Sequence, residues 1–142
     1  MVNENIGLER FIKAQEHSYQ TALNEITAGQ KQSHWMWYIF PQLAGLGRSS
    51  VSEFYGIEDL AEAKAYLQND ILGARIVEIS NVLLLLATND AYKIFGSPDN
   101  MKLKSSMTLF ALADASQYIF YEVLKKFFGG DLDKRTVSLL GL

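Results

Sequence analysis

The sequence predicts an all-α protein: a compact single-domain bundle of about six to seven helices around a central apolar helix at about residues 70–88. Apolar residues recur at three- and four-residue steps, as they do on the buried face of a helix. No segment keeps the strict apolar–polar alternation of a half-exposed strand for more than a few residues. With 142 residues and no internal repeat or Pro/Gly-rich linker, the whole chain, 1–142, fits one helical domain.

The first predicted helix runs from about residue 8 to residue 28. Its apolar stripe consists of Leu8, Phe11, Ile12, Tyr19, Ala22, Leu23 and Ile26. Gly29 follows, and glycine is the usual left-handed stop of a helix. Gln15 falls on the stripe, where an unpaired amide would cost about 1–3 kcal/mol. It therefore either ties the helix to a backbone turn, which is the simpler interpretation, or lines a pocket.

Six further segments follow the first helix. The second is predicted at about 58–68, with Glu58 and Asp59 in the first turn, where the helix dipole favours acids. The third is the central helix, with Asp70 as its cap. A short segment at 91–95 comes next, then a helix that Ser97-Pro98 opens and that runs to about residue 113. The last two are predicted from Ser116, as a cap, to about residue 128, and at 133–140.

Composition limits the classes of function. The net charge of −3 argues against non-specific binding to nucleic acid or to an anionic membrane. The absence of cysteine excludes disulfides and thiolate metal sites, and two histidines leave little for an imidazole metal centre. The sequence lacks the features of a signal peptide, and its apolar runs are far shorter than the roughly 20 residues of a membrane span. We therefore expect a cytoplasmic protein with no metal, cofactor, nucleic-acid or membrane partner.

Residues 31–55 do not fit a plain helical bundle. Four aromatic residues fall within six positions at 35–40, and Pro41 and a Gly- and Ser-rich loop that contains Arg48 come after them. Rings that form walls, glycines that allow close approach and an arginine for an anion are the components of a ligand cleft. Burial of the rings explains the same run more simply, and we favour a core position for Trp35, Tyr38, Ile39 and Phe40. For His34, a structural role is favoured over a catalytic or ligand-contacting one.

The helix predicted from residue 98 carries a second polar group. Asp99, Lys102 and Ser106 share one face of this helix, and Ser105 adds a hydroxyl beside them. Free backbone N–H groups and the helix dipole at such a start favour a bound phosphate. The simpler alternative is a solvated first turn in which Asp99 only complements the dipole.

Four strings of the sequence carry a resemblance to a known family. They are Leu8-x-x-Phe11-x-x-Ala14-Gln15, Lys31-x-x-His34-Trp35-Met36-Trp37, Phe40-Pro41-Gln42-Leu43-x-Gly45-Leu46-Gly47, and Phe95-Gly96-x-Pro98-Asp99-x-x-Lys102-x-x-Ser105-Ser106-Met107-Thr108-Leu109-Phe110. In these strings the chain resembles an uncharacterised, mainly helical bacterial family of unknown function that is often labelled calpastatin-like. The resemblance implies an all-α fold and no established activity or site residues. The label conflicts with the composition, since calpastatin-type inhibitors are disordered, repeat-built chains rich in Pro and Lys.

Two hypotheses of function remain open. The first is an enzyme or sensor for a small anionic ligand, nucleotide-like or ADP-ribose-like, in a cleft between residues 31–55 and the start of the 98–113 helix. In it, His34 carries a proton and Asp99 positions a water for hydrolysis. The expected ligand-binding residues are Trp35, Trp37, Gln42, Arg48, Lys102, Ser105 and Ser106. The alternative is a non-enzymatic interaction module or homodimer, anchored by exposed aromatic residues at Trp37, Phe54 and Tyr55.

Overall fold

The computed structural model describes residues 4–142, with side chains from residue 7 onward. In that range the chain is all-α, as predicted, with no β-strand beyond an isolated bridge between Leu43 and Ile57. Its ten helices are α1 (Glu4–Glu16), α2 (Tyr19–Thr27), α3 (Met36–Ile39), α4 (Ser50–Phe54), α5 (Leu60–Gln68), α6 (Asp70–Leu85), α7 (Ala91–Phe95), α8 (Asp99–Ala113), α9 (Ile119–Phe128) and α10 (Lys134–Leu139).

Three of these helices were not expected from the sequence. The predicted first helix is two helices, because the chain turns at His17 and Ser18. The turn lets α1 contact α3, α5 and α6 while α2 lies mainly along α6. The other two, α3 and α4, are single turns within residues 31–55, too short for an apolar period to reveal.

Helix starts differ from the prediction by a few residues, because neighbouring side chains take the capping role. Asn69, not Asp70, caps α6, and its side-chain oxygen accepts from two backbone N–H groups, each at 3.0 Å. Asp59 caps α5 and therefore lies outside it. Ser116 does not cap α9: its N–H and hydroxyl both donate to Asp114, and the helix begins three residues later.

The helix α8 is more enclosed than the predicted central helix α6. Eight of the fifteen residues of α8 are buried, against six of sixteen in α6. The buried residues of α8 include Ser105, Ser106 and Thr108. These hydroxyls interrupt the apolar pattern, which is why the sequence did not identify α8 as a central element. Both helices contribute to one hydrophobic cluster.

A buried amide joins four of the helices. Gln15 on α1 is 1% exposed, and its Nε2 donates to the Tyr38 carbonyl on α3 at 2.8 Å and to the Tyr66 hydroxyl on α5 at 3.0 Å. Arg75 on α6 donates to its Oε1 at 3.3 Å. The simpler interpretation of Gln15, a tie between the helix and a backbone turn, is therefore confirmed.

The carboxylate of Glu25 on α2 holds the chain that leads into α3. It accepts hydrogen bonds from the backbone N–H groups of Gln32 and Ser33, at 2.7 and 2.9 Å, and from Trp35 Nε1 at 2.9 Å. The Ser33 hydroxyl adds a fourth at 2.5 Å. Burial raises the pKa of Glu25, but these donors outweigh it and lower the pKa from 4.5 to about 2.

We expect Glu25→Ala to lower the free energy of unfolding by about 2 kcal/mol, because it removes charge-assisted hydrogen bonds to several donors at once. Urea denaturation followed by circular dichroism measures the change. The matched control is Glu16→Ala, which removes an exposed carboxylate and should change stability by less than about 0.5 kcal/mol. Equal losses in the two variants would contradict the role assigned to Glu25.

The same carboxylate makes stability depend on pH. Because its pKa is lower in the folded state, its contribution is complete above the unfolded value of 4.5 and is lost as the pH falls toward about 2. We expect the stability difference between the natural chain and Glu25→Gln to shrink through that window. Denaturation curves measured across it check this, and a difference that stays constant with pH would be the opposite result.

Candidate functional site

Three segments that are distant in sequence meet around a cavity of about 390 Å³. They are α3 with the loop after it, the first half of α8, and the start of α10 with the residue before it. The cavity is lined by Trp37, Gln42, Leu46, Gly47, Pro98, Met101, Lys102, Ser105, Asp133 and Arg135. We call it the Trp37 cleft. The structure thus brings together residues 31–55 and the start of the 98–113 helix, as the first hypothesis of function requires.

Backbone pairing with Ile57 holds the loop that carries Gln42. The N–H of Ile57 donates to the Gln42 carbonyl at 2.9 Å, and the Ile57 carbonyl accepts from the N–H of Ala44 at 2.7 Å. Further along the loop, a Cβ on Gly47 would lie 2.6 Å from the Cβ of Ser52 and 3.2 Å from the Trp37 ring. Only glycine therefore lets the loop pack closely against Trp37 and form this wall of the cleft.

The side chain of Gln42 is almost completely buried, and its amide nitrogen lacks a hydrogen-bond partner. It is 6% exposed, and its Nε2 has no hydrogen-bond partner among the described residues. An unmet buried donor of this kind costs about 1–3 kcal/mol. Gln42 is also one of the residues that line the cleft, so this unpaired donor belongs to the wall of the cavity.

An ion cluster positions Lys102 at the edge of the cleft. The two carboxylate oxygens of Asp99 contact Lys31 Nζ and Lys102 Nζ, each at 2.9 Å. Lys102 Nζ also lies over the ring of Trp37, 4.3 Å from its centroid. Burial raises the pKa of Asp99, but the two lysines lower it further than burial raises it. Asp99 is therefore an ionised carboxylate that fixes two ammonium groups.

Lys31 belongs to this cluster although the sequence did not single it out as a site residue. Its backbone N–H donates to the carbonyl of Ile94 at 2.7 Å, and its Nζ donates to the carbonyl of Ser33 at 2.6 Å. The Nζ lies 5.0 Å from the centroid of the Trp35 ring. Lys31 thus connects the chain before α3 to the first turn of α8.

Trp35 is part of the core and not a wall of the cleft, which corrects its assignment to ligand binding. It is 1% exposed, its indole N–H donates a hydrogen bond to the Glu25 carboxylate, and its ring packs against Phe40 and Phe95. The competing prediction, that Trp35, Ile39 and Phe40 are core residues, is confirmed, while Tyr38 is half-buried against that core.

His34 is exposed and does not line the cleft. Its neighbours on both sides, Ser33 and Trp35, direct their side chains to Glu25, which leaves His34 facing outward between them. The geometry gives no support to His34 as a proton carrier at this cavity. Asp99, the other residue assigned to catalysis, is engaged by its two lysines and is not a lining residue either.

Arg48 and Ser106 also lie away from the cleft. Arg48 is exposed, since Gly47 before it packs on Trp37 and Ser49 after it caps α4. Ser106 is completely buried in the core, and its hydroxyl has no partner among the described residues. Of the predicted ligand-binding residues, the cleft therefore contains Trp37, Gln42, Lys102 and Ser105.

Arg135 supplies the cation that the sequence assigned to Arg48. The backbone N–H of Asp133 donates to the Thr108 hydroxyl at 2.9 Å, which docks the start of α10 on α8. The Asp133 carboxylate caps α10 by accepting from the N–H and hydroxyl of Thr136, at 3.1 and 2.6 Å. This capping pattern, followed by Lys134-Arg135, was the only signal in the sequence that a cation is held here.

Neither a cluster of metal-ligating side chains nor a membrane-spanning helix occurs in the described part of the chain. Among residues 7–142, no group of three or more histidine, aspartate and glutamate side chains is arranged to hold a metal ion. None of the helices within residues 4–142 has both the length and the apolar character that crossing a bilayer requires.

Comparisons with known proteins are consistent with this fold and assign no activity. A family model described as a protein of unknown function, DUF1810, matches residues 5–140. The crystal structure of the conserved hypothetical protein Rv1873 from Mycobacterium tuberculosis is similar, with a TM-score of 0.93 and 47% sequence identity. The match covers 95% of this chain and 96% of that one. A search of curated proteins found no match.

We expect Asp99→Asn to lower the free energy of unfolding by about 1–2 kcal/mol, because two partly buried ammonium groups lose their shared carboxylate. Urea denaturation at low and high salt measures this loss. High salt should reduce the difference in free energy of unfolding between the variant and the natural chain. Asp70→Asn, an exposed carboxylate in the first turn of α6, is the matched control. A loss no larger than that of the control would show that the cluster contributes little.

Proposed function

Because the chain belongs to the DUF1810 family of unknown function, we propose its function from the site itself: it binds a small anionic, nucleotide-like ligand in the Trp37 cleft. The observation that carries the proposal is the buried, unpartnered Nε2 of Gln42, a residue that lines the same cavity as Lys102, Arg135 and Trp37.

The chemistry of the lining residues defines the class of ligand. Gln42 Nε2 requires an acceptor, such as a carbonyl oxygen or a ring nitrogen. The half-buried ring of Trp37 offers apolar surface to a planar group. Lys102 has three N–H donors, of which Asp99 takes one, and Arg135 adds a second cation beside it. A nucleotide combines a planar group rich in acceptors with an anion, so it matches all of these features.

Binding has more support than hydrolysis. Among the described residues that line the cleft, the one carboxylate is that of Asp133, and it already accepts two hydrogen bonds from Thr136. Ser105 donates its hydroxyl to the carbonyl of Met101, one turn earlier in α8, at 3.3 Å. The proposal therefore assigns the cleft a binding role and gives none of these groups the role of a base or nucleophile.

The alternative hypothesis, an interaction module or homodimer, has weaker support. Of the three aromatic residues proposed to anchor it, Trp37 is half-buried in the wall of the cleft. Tyr55 is half-buried and packs against Phe11 and Tyr38. Phe54 is 59% exposed, and a single exposed ring is ordinary for the surface of a protein.

A thermal-shift and tryptophan-fluorescence screen tests the proposal. The panel comprises inorganic phosphate, sugar phosphates, and nucleoside mono-, di- and triphosphates. We expect at least one member to raise the melting temperature, since a ligand that binds only the folded state stabilises it. If no member of the panel binds, the proposal fails.

Substitutions in the cleft then locate the binding. We expect Gln42→Leu and Lys102→Met each to weaken binding about tenfold or more, which corresponds to about 1.4 kcal/mol. Gln68→Leu and Lys93→Met, which change an exposed amide and an exposed lysine elsewhere, should leave it unchanged. Without ligand, Gln42→Leu should be at least as stable as the natural chain, because it removes an unpaired buried donor. Full affinity in Gln42→Leu would place the ligand outside the cleft.

A further inference from the structure

A second cavity adjoins the Trp37 cleft. This cavity, of about 590 Å³, is lined by Lys104, Asp131, Leu132, Asp133, Lys134 and Arg135. It shares Asp133 and Arg135 with the cleft, so the two cavities lie side by side. We call the second one the cation cavity.

The cation cavity has an excess of unneutralised positive charge. In the part of the chain with described side chains, Lys104, Lys134 and Arg135 form no ion pair, although Lys104 Nζ lies 5.8 Å from the centroid of the Phe128 ring. Three cations, Lys104, Lys134 and Arg135, stand against the two carboxylates of Asp131 and Asp133, so the lining carries one positive charge in excess. Such a concentration of cations in a chain of net charge −3 favours an anion there.

The two cavities differ in the chemistry that they offer. The cleft presents a ring and an unpaired amide donor, which suit an uncharged planar group with acceptor atoms. The cation cavity presents lysine and arginine side chains, which suit phosphate oxygens. Arg135 lines both cavities, and Lys102 lines the cleft.

We infer that the ligand is a nucleoside di- or triphosphate, with its base in the Trp37 cleft and its phosphate chain in the cation cavity. The inference rests on the proposed function and specifies the ligand class for the same site. Lys102 and Arg135 contact the phosphate nearest the nucleoside, and Lys104 and Lys134 contact those further along. A monophosphate reaches only the first pair.

A series of nucleotides that differ only in phosphate number tests the inference. Isothermal titration measures the dissociation constants of the mono-, di- and triphosphate of the base that binds best in the screen. We expect affinity to rise about tenfold or more from mono- to triphosphate, because each added phosphate gains charge-assisted contacts. In the double variant Lys104→Ala/Lys134→Ala, we expect triphosphate affinity to fall about tenfold and monophosphate affinity to change by less than about twofold. The equally charged control is Lys13→Ala/Lys93→Ala, two exposed lysines elsewhere.

The possible outcomes distinguish a failure of this inference from a failure of the proposed function. Equal affinity for all three nucleotides, or an equal loss in the control, overturns the role of the cation cavity and leaves binding in the cleft standing. Binding of a different anion from the panel, with no nucleotide bound, also overturns the ligand class alone. If none of the anions binds, both proposals fail.

Discussion

The hydrogen bonds of one buried amide constrain how several helices of this fold are arranged. Gln15 contacts a carbonyl on α3, a hydroxyl on α5 and a guanidinium on α6. Tyr66 is completely buried, so its hydroxyl has few alternatives to this partner. To place Gln15 among these groups, α1 must leave the direction of α2, and the chain turns at residues 17 and 18. The same contact anchors α3 at Tyr38, the residue that follows Trp37, and so it fixes the wall of the cleft.

The site also depends on a network of hydrogen bonds and ion pairs that joins three regions of the chain. Glu25 holds residues 32–35, and Lys31, just before them, reaches Asp99 at the start of α8. Asp99 in turn holds Lys102 over Trp37. The arrangement of Lys102 in the cleft therefore depends on α2, which does not line the cavity. The contacts of Asp99 and Trp37 thus hold Lys102 in place before any ligand binds. Such preorganisation would lower the cost of ordering Lys102 around the anion that we propose.

Hydrophobic periodicity predicted the long helices. The features that it did not predict depend on tertiary contacts between segments. Segments such as α9 carry an apolar stripe that a local pattern can reveal. The enclosure of α8 was hidden because its core face includes buried hydroxyls. In the site, Trp37, Gln42, Lys102 and Ser105 were identified by residue type and position. The outward orientation of His34 depends on Glu25, which binds the residues on either side of it, and the position of Arg135 depends on Thr108, which binds Asp133. A local pattern of residue types reveals neither partner.

The two buried glutamines show why the unmet donor of Gln42 points to a ligand. Gln15 shows that this fold can give a buried amide both donor and acceptor partners, so nothing general in the architecture prevents it. The unpaired hydroxyl of Ser106 has a simpler explanation. The hydroxyl of Ser106 can rotate toward a carbonyl of its own helix, as serines in helices often do. The amide N–H groups of Gln42 have no comparable local acceptor within a helix, because Gln42 lies in the loop after α3. Because Gln42 lines a cavity that also presents a ring and two cations, the ligand that we propose would account for the unpaired donor and for the cavity together.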